Sequence, residues 1–361
     1  MTITYHHTTN YGASLQTYAL HRKIKDLGHE NVLFEYPEKR RYYNKIIFSN
    51  PKSFIRSLYF NFTKLIRKKK HFRLIDSFDK FRSQNIEFTR VYESMDDLRN
   101  NYPDVEALIT GSDQVWNMKT NPQFIPARFL NFGKPNLLRF SYAASIESLN
   151  YTDEEKKYVK DSLSNFKGIS LREESAKNYI KDITGLDAIR VVDPVFLLSK
   201  EEWMEIAKQP RLKGPYILCY QVLSNERMQE VVNEIKERTG YPVVSICNGT
   251  FKWIKSDFTF YDVSPEEFIG FYNDASIVVS TSFHGTALGL VFNKPTYSLI
   301  KESGYKRIEN IMNIFNLKEY MISKSTITIP SHNIDYEKTT SILKNERDKS
   351  IEFLMQMLND N

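Results

Sequence analysis

SIVVSTSFHGTALGLVFNKPTYSLI, residues 276–300, is the stretch of sequence that points most directly to a fold class. Its apolar residues predict one strand at 276–280 and another at 296–300, with a polar loop and then a helix after Gly285 between them. Two strands joined by a helix are typical of a parallel βαβ unit, because parallel neighbours need a crossover. Ligands bind such sheets at the carboxyl ends of strands and beside helix N-termini, which makes His284 a candidate site residue.

The same alternation of strands and helices extends along the chain in both directions. The predicted strands are 2–6, 105–110, 137–142, 168–171, 189–192, 216–222, 242–247, 276–280 and 296–300. The predicted helices cover 13–27, 152–166, 173–183, 226–238, a segment opened by Ser264, the residues after Gly285, 306–316 and 336–358. This order predicts an α/β protein with parallel, doubly wound sheets. Because Asp193-Pro194 breaks the pattern, we expect two Rossmann-like domains, 1–199 and 200–361, with the last helix crossing back to the first domain.

Local cap signals support several of these helix ends. Gly28 and Gly240 follow predicted helices as C-terminal stops. Thr152 begins a capping box, and Ser264 precedes a proline at the first helical position. Asn225 is the predicted N-cap of the helix over 226–238.

The composition is that of a globular protein in a reducing compartment. The 361 residues are 41% hydrophobic and 26% charged, which excludes a disordered chain and suits two domains. The two cysteines, Cys219 and Cys247, lie in apolar runs, which argues against a disulfide scaffold and against a structural zinc site. The first residues lack a signal-peptide pattern, and the long uncharged stretch 275–293 is too polar to span a bilayer. We therefore expect a cytoplasmic protein.

Positive charge is concentrated in one segment. Residues 39–75 hold twelve Lys and Arg and no Asp or Glu, so with a formal net charge of +6 the rest of the chain carries −6. This distribution disfavours nucleic-acid binding, which calls for basic residues across a face of the fold. The segment also has an apolar stripe at helical spacing, followed by Arg67-Lys68-Lys69-Lys70. The stripe leaves two interpretations open. The helix packs its stripe on the core and its basic residues are solvated, or it contacts the anionic inner face of the cell membrane.

Three polar loops follow predicted strands, and they contain most of the candidate binding residues. These candidates are Asn10, Gly12, Ser112, Asp113, Trp116, Ser282, His284, Gly285 and Thr286. Beside a helix N-terminus, His284 can donate to a phosphate oxygen or act as a general acid, or it can simply brace the loop. Asn10 and Gly12 can also build a turn, Asp113 can cap one, and Trp116 can belong to the core. Arg172 follows the strand at 168–171, where it can bind an anion or pair with Glu173 or Glu174.

Several common chemistries lack their sequence motifs. The chain has no GxGxxG, no GxxxxGK[ST], no GxSxG and no Asp-x-Asp pair. Their absence argues against dinucleotide binding, P-loop phosphoryl transfer, hydrolase chemistry and metal-bound nucleotide sugars. We therefore predict no cofactor and no metal dependence.

Six sequence words carry a resemblance to a known family. In chain order they are NYGASLQTYAL (10–20), ITGSDQVWN (109–117), SYAAS (141–145), SLREESA (170–176), VVDP (191–194) and STSFHGTALGLVFNKP (280–295). Together they resemble the polysaccharide pyruvyl transferase family over residues 3 to about 317. The resemblance implies a two-domain fold similar to GT-B glycosyltransferases. It also implies phosphoenolpyruvate as donor, a sugar hydroxyl pair as acceptor, and a pyruvate ketal plus phosphate as products.

The same resemblance implies roles for individual residues. His284 would contact the phosphate and supply a proton, Arg172 would pair with carboxylate or phosphate, and Asp113 would act as a base or position substrate. Lys306 and Arg307 could add positive charge near the donor. Some relatives carry Arg where this chain has Ser282, so a donor-binding cation would have to come from elsewhere, with Arg307 as a candidate.

Three functions remain open on the sequence. The first is a pyruvyl transferase of surface-polysaccharide assembly, acting on a sugar or lipid-linked oligosaccharide. The second is a glycosyltransferase that uses a nucleotide sugar on the same architecture. The third is a non-catalytic protein that binds a glycan or a lipid-linked sugar at the membrane.

Overall fold

A computed structural model describes most of the chain. It covers residues 1–37, 54–119, 122–146, 149–247, 254–300, 306–331 and 334–359, and for residues 54–67 and 306 it describes the backbone alone. Most of the basic segment 39–75 therefore lies outside the described side chains, and so does its predicted apolar stripe.

The first domain contains a parallel sheet with the strand order β3-β2-β1-β4-β5. Its strands are β1 (Thr2–Ile3), β2 (Leu33–Glu35), β3 (Phe88–Val91), β4 (Ala107–Thr110) and β5 (Leu138–Ser141). A parallel pair, β6 (Ser170–Leu171) and β7 (Ile189–Arg190), continues this sheet through bridges from Phe140 to Gly168 and from Ala144 to Leu171. This is the doubly wound order, in which the direction of winding reverses between β1 and β4.

The second domain repeats that order with six parallel strands, β10-β9-β8-β11-β12-β13. They are β8 (Ile217–Tyr220), β9 (Val243–Ile246), β10 (Phe258–Phe260), β11 (Ile277–Ser280), β12 (Thr296–Leu299) and β13 (Met321–Ile322). The four central strands are fully buried, as expected for a parallel sheet covered on both faces. Winding reverses between β8 and β11, so each domain has a ligand-binding switch point at the carboxyl end of its first strand.

Twelve α-helices connect these strands in the described residues. They are α1 (Tyr11–Asp26), α2 (Phe54–Asn85), α3 (Met95–Asn101), α4 (Ile125–Arg128), α5 (Asp153–Leu163), α6 (Glu174–Thr184), α7 (Lys200–Met204), α8 (Met228–Thr239), α9 (Pro265–Asp274), α10 (Phe283–Val291), α11 (Lys306–Ile314) and α12 (Tyr336–Asn359). No helix of the described segments is long and apolar enough to cross a bilayer. The predicted doubly wound α/β architecture is confirmed, and the domain boundary at 199/200 stays a prediction.

Most predicted helix caps are confirmed. Thr152 forms its capping box with Glu155, Ser264 accepts a hydrogen bond from the Glu267 amide, and Gly240 ends α8 in a left-handed conformation. The Asn225 cap is wrong, because α8 begins at Met228 and the Asn225 side chain instead accepts from the amide of Arg227 in a preceding turn.

Two other boundaries differ from the prediction at functionally important places. α10 begins at Phe283 rather than after Gly285, because the Ser282 side chain accepts the Gly285 amide as an N-cap. His284 therefore lies in the first turn of the helix. β1 covers only Thr2–Ile3 of the predicted 2–6, so that the loop to α1 begins at Thr4.

The C-terminal helix α12 returns to the first domain, as predicted. Its Phe353 ring lies 6.4 Å from the Phe140 ring of β5, and its Ser350 hydroxyl accepts the amide of Val192. Met357 and Phe353 lie so close to Gly168 that a Cβ there would come within 2.3 Å of the Met357 sulfur. One continuous hydrophobic cluster consequently joins residues of both domains.

Candidate functional site

The first switch-point loop and the start of α10 meet across the two domains. The His284 ring packs directly on Gly12, where a Cβ would lie 2.1 Å from the ring Nδ1. His284 is 8% exposed, and Gly12 lies in the first turn of α1. Only glycine leaves room for this contact, which explains why residue 12 has no side chain.

Asp193 is the centre of the site. Its Oδ2 lies 3.5 Å from His284 Nε2 and 2.6 Å from Arg172 Nη1, and it accepts a 3.3 Å hydrogen bond from the Ser112 hydroxyl. Its Oδ1 accepts from the amide of Val195 at 3.0 Å, which fixes the carboxylate at the start of a short 3₁₀ turn. Asp193 therefore connects Arg172 and Ser112 of the first domain to His284 of the second.

Arg172 is fully engaged inside the protein. Besides Asp193, it donates to Glu173 Oε1 at 3.0 Å and to the Ser145 hydroxyl at 3.1 Å, and it is 3% exposed. Its guanidinium carbon lies 4.4 Å from the centre of the Phe283 ring, a cation–π contact that reaches α10. The pairing with Glu173 between adjacent residues occurs because both precede α6, where Glu173 has an extended backbone.

The charges of the site stabilise one another. Burial alone would raise the pKa of Asp193, but the neighbouring His284 and Arg172 hold that pKa well below its usual range. Burial opposes the charge on Arg172, yet Glu173 and Asp193 raise the pKa of its guanidinium above the ordinary value. Asp193 is therefore ionised at neutral pH, and Arg172 is its fixed counter-charge.

Glu173 adds a second buried carboxylate beside Arg172. Its Oε1 accepts from Arg172 and from the Ser145 hydroxyl, whereas its buried Oε2 has no hydrogen-bond partner among the described residues. Arg172 is therefore the shared hydrogen-bond donor of two buried carboxylates.

Asp113 lies beside this cluster at the end of β4. It is half-buried, it has a left-handed backbone with φ of 72°, and its charge acts on Arg172. Such a backbone is uncommon for a residue other than glycine and is concentrated at functional sites. A parallel bridge to Ala144 holds it against the strand extension that leads to Arg172.

Four predicted binding residues have structural contacts at the two helix N-termini. Asn10 caps α1 by accepting the amides of Gly12 at 2.9 Å and Ala13 at 3.4 Å, and Ser282 caps α10. Gly285 packs against Ser280, and the Thr286 hydroxyl lies 2.7 Å from that of Ser298. The His284 ring, which belongs to the first turn of α10, thus lies against the first turn of α1.

The remaining predicted site residues are Trp116, Arg307 and Lys306. Trp116 is fully buried, stacks on Phe129 and donates its indole N–H to the Arg128 carbonyl, so the structure places it in the core. Arg307 reaches across from α11 to the Gln114 side chain in the first domain, whose amide, oriented so that its oxygen accepts, lies 3.2 and 3.1 Å from Nη1 and Nη2. The Lys306 side chain lies outside the described residues.

A family model decides the classification. The model of the polysaccharide pyruvyl transferases matches residues 10–300, which is most of the chain and includes every residue of the Asp193 cluster. The chain belongs to the polysaccharide pyruvyl transferase family. The resemblance that the six sequence words indicated is thereby confirmed. No protein of curated function matches the chain.

Solved structures show the same architecture at low sequence identity. The UDP-GlcNAc 2-epimerase of Methanocaldococcus jannaschii, in complex with UDP-GlcNAc and UDP, has a TM-score of 0.51 and 11% identity. That match covers 100% of this chain and 99% of the epimerase. A Listeria monocytogenes protein assigned to the same class of epimerase has a TM-score of 0.50 and 12% identity, over 97% and 89% of the two chains. These likenesses support the fold alone, which is the GT-B-like fold predicted from the sequence.

Four of the six sequence segments that carry the family resemblance supply residues to the site. The word NYGAS supplies Gly12, SLREES supplies Arg172, VVDP supplies Asp193 and STSFHGT supplies His284. In the sequence, VVDP marked a break between domains and formed part of the family resemblance, but Asp193 was not predicted as a site residue. Its signal was present, because an aspartate that follows an apolar strand lies at the same sheet edge as the other candidates.

Proposed function

We propose that this member of the family transfers the pyruvyl group of phosphoenolpyruvate to a pair of sugar hydroxyls during surface-polysaccharide assembly. The observation that carries the proposal is the buried Asp193–His284 pair, which lies where the N-termini of α1 and α10 converge. Helix N-termini favour anions, and a histidine oriented by a carboxylate is suited to proton transfer.

The reaction needs proton movements that such a pair can perform. The C2–O bond to phosphate breaks, the double bond between C2 and the methylene carbon becomes single, and two C–O bonds form between C2 and the two sugar hydroxyls. The two sugar hydroxyls release two protons. The methylene carbon gains one proton to become a methyl group, and the second proton leaves with the phosphate. A general acid must therefore protonate the methylene carbon, and a base must accept a hydroxyl proton.

We assign the acid role to His284. Its Nε2 faces Asp193 Oδ2 at 3.5 Å and its Nδ1 packs against Gly12, and in this proposal the donor binds beside the ring, at the first turns of α1 and α10. Asp193 orients the ring, as the carboxylate does in other acid–base pairs.

Arg172 acts through Asp193 rather than on the donor. Its nitrogens already donate to Asp193, Glu173 and Ser145, so it presents little surface to a ligand. We therefore assign the donor's negative charges to the two helix N-termini and to Arg307, whose position across the cleft compensates for Ser282. This donor site needs no metal.

The acceptor approaches from the first domain in this proposal. Asp113 is half-buried at the end of β4, within electrostatic reach of Arg172, and it is our candidate base for a sugar hydroxyl. We further propose that the acceptor is lipid-linked and that the protein works in the cytoplasm at the inner membrane face. Exposed Lys68, Lys69 and Lys70 on α2 support a contact with anionic lipid.

The test is phosphate release from phosphoenolpyruvate over a panel of acceptor glycans, with mass detection of the ketal. His284→Ala should lower turnover by at least ~10²-fold, the contribution typical of a general acid. His29→Ala is the matched control, because His29 is half-buried on the far side of α1 from Gly12 and should leave turnover unchanged.

Two results would contradict the proposal. Wild-type turnover by His284→Ala would remove the assigned acid. Protection against thermal unfolding by a nucleotide sugar, with none by phosphoenolpyruvate, would favour a glycosyltransferase on the same fold.

A further inference from the structure

A second cluster lies on the opposite side of β1 from the Asp193 site. Ser112, which contacts Asp193, follows β4 on one side of β1, and Glu35 ends β2 on the other. Beyond the end of β1, His6 and His7 turn toward Glu35. Their three ligand atoms lie within 4.8 Å of one another.

His6 presents an unsatisfied nitrogen to a carboxylate. Its Nδ1 lies 3.2 Å from the Thr4 carbonyl oxygen, which can only accept, so Nδ1 carries the ring proton. Nε2 of the neutral ring then offers a lone pair. It is buried, it has no hydrogen-bond partner among the described residues, and it lies 3.6 Å from Glu35 Oε2. Two acceptors that face each other in a buried place need a cation between them.

His7 supplies a third donor atom to the same point. Its Nε2 contacts the other carboxylate oxygen of Glu35, and its ring centre lies 4.1 Å from that of His6. In an extended strand, adjacent side chains point to opposite faces, so the bend after β1 is what brings the two rings together. A proton could serve one histidine–carboxylate pair, whereas a metal ion is bound by all three groups.

The surroundings hold the ligands in place. The Thr4 carbonyl fixes the tautomer of His6 in the manner of an outer-shell partner at metal sites. The rings of Phe88 and Tyr36 pack against His6 at 5.0 and 5.7 Å. Arg82 of α2 donates to the carbonyl oxygen of His6 at 3.1 Å, which secures the backbone of the bend.

We propose that His6, His7 and Glu35 bind a zinc ion. Two imidazoles and one carboxylate are the donor set of open zinc sites, in which water or substrate takes the fourth position. Donor atoms around tetrahedral zinc lie about 3.3 Å apart, given metal–ligand distances of about 2.0–2.2 Å. Small side-chain rotations bring the three groups to that spacing. The site departs from the sequence-based expectation of no metal, and it does not depend on the proposed pyruvyl transfer.

The experiment uses the full chain, stripped of metal by a chelator and titrated with zinc. Calorimetry and metal analysis after dialysis should give one zinc per chain, and saturating zinc should raise the melting temperature. Cobalt in place of zinc should show the intense visible absorption of tetrahedral coordination. Glu35→Gln and half-buried His7→Gln should each weaken zinc binding at least 10-fold.

The matched control is a second histidine–glutamate pair of the first domain, in which the histidine is buried and the glutamate is exposed. His21 Nε2 lies 2.5 Å from Glu87 Oε2, but Lys25 occupies the second carboxylate oxygen of Glu87. Glu87→Gln should therefore leave zinc affinity unchanged. The proposal is overturned if wild type binds no stoichiometric zinc, if Glu35→Gln and His7→Gln bind as well as wild type, or if Glu87→Gln weakens binding equally.

Discussion

The candidate site depends on Asp193, because this residue is ionised and buried and contacts both Arg172 and His284. It holds Arg172 at 2.6 Å and His284 at 3.5 Å, so a change there affects both a structural ion pair and the proposed acid. Removing one partner of a buried ion pair costs more than the pair contributes, since the other charge stays in a medium of low polarity.

Asp193→Asn should therefore lower the free energy of unfolding by about 3 kcal/mol at pH 7. The folded-state pKa of Asp193 lies below the unfolded value of about 3.9, so its contribution is complete above about pH 5 and is lost as the pH falls further. Urea unfolding of wild type and variant at pH 7 and pH 3 should show the difference shrinking in acid, by about 1 kcal/mol. Asp187→Asn, at an exposed surface pair with Lys181, should leave the urea midpoint unchanged at both pH values. A difference that does not vary with pH would contradict the assignment.

Gly12→Ala should displace His284 without unfolding the protein. The added Cβ would lie 2.1 Å from Nδ1, so the ring or the first turn of α1 must move. A displacement of about 1 Å at a reacting group can cost 10²-fold in turnover. Gly28→Ala, past the other end of α1, meets no atom within 4 Å but has a φ of 89°. It should reduce stability by about 1 kcal/mol and keep wild-type turnover per folded molecule. Equal turnover in the two variants would show that His284 does not need this position.

Among its described side chains, helix α2 has an exposed basic stretch, residues 68–70, followed by a stretch with buried apolar residues. Leu74, Phe78 and Phe81 are fully buried, whereas residues 68–70 are exposed. Two basic residues of α2 contact the second domain. Lys70 lies 5.6 Å from the centre of the Tyr261 ring, and Arg73 lies 3.3 Å from Asp262. The helix therefore contacts both domains. The exposed Lys68, Lys69 and Lys70 are the residues we expect to contact an anionic surface.

Changing Lys68, Lys69 and Lys70 together to Gln should weaken sedimentation with anionic vesicles at low salt. Each lysine near such a surface contributes about 1 kcal/mol, and salt screens the attraction over about 10 Å at 0.1 M. Both proteins should therefore bind weakly at high salt. The control removes the same charge from α5, as Lys156, Lys157 and Lys160 changed to Gln, and should bind like wild type. If wild type does not sediment with the vesicles at low salt, the membrane contact is wrong.

The two domains are held in one arrangement by α12 and by the site itself. Arg347 of α12 donates to the carbonyl oxygens of Phe196 and Leu198 near the domain junction, and Glu346 pairs with Arg190 of β7. These contacts attach α12 beside Asp193, and Asp193 faces His284 of the second domain at 3.5 Å. We therefore expect a change that destabilises α12 to alter the geometry of the site, although α12 supplies none of the residues named there.

Phe353→Ala should destabilise the protein by about 3–5 kcal/mol, the range for removing a buried aromatic ring. Phe353 is 7% exposed and packs toward Phe140 and Gly168 of the first domain. Met355→Ala, on the same helix but 40% exposed, should change stability by no more than about 0.5 kcal/mol. Thermal unfolding of both variants measures the difference, and equal melting temperatures would contradict the packing of α12 on the first domain.

Short-range signals in the sequence were sufficient for the doubly wound fold and for most of its helix ends. Alternating apolar strands and helices, the Thr152 capping box and the Ser264 cap act over a few residues, and each formed as predicted. The short strands β2, β3, β10 and β13 were missed, because two to four residues carry too little periodicity to distinguish a strand from a loop. Sequence also identified His284, Arg172 and Gly12 as residues at strand ends or helix starts.

Tertiary structure decided how those residues meet. Asp193 and His284 are 91 positions apart in the chain, and His6 and Glu35 are 29 apart, so no local pattern connects either pair. Their contacts exist because parallel strands align their carboxyl ends at one sheet edge and because the second domain presents α10 to the first. Charge compensation, burial and the room left by Gly12 depend on that three-dimensional arrangement, since they arise from packing between distant segments rather than from neighbours in the chain.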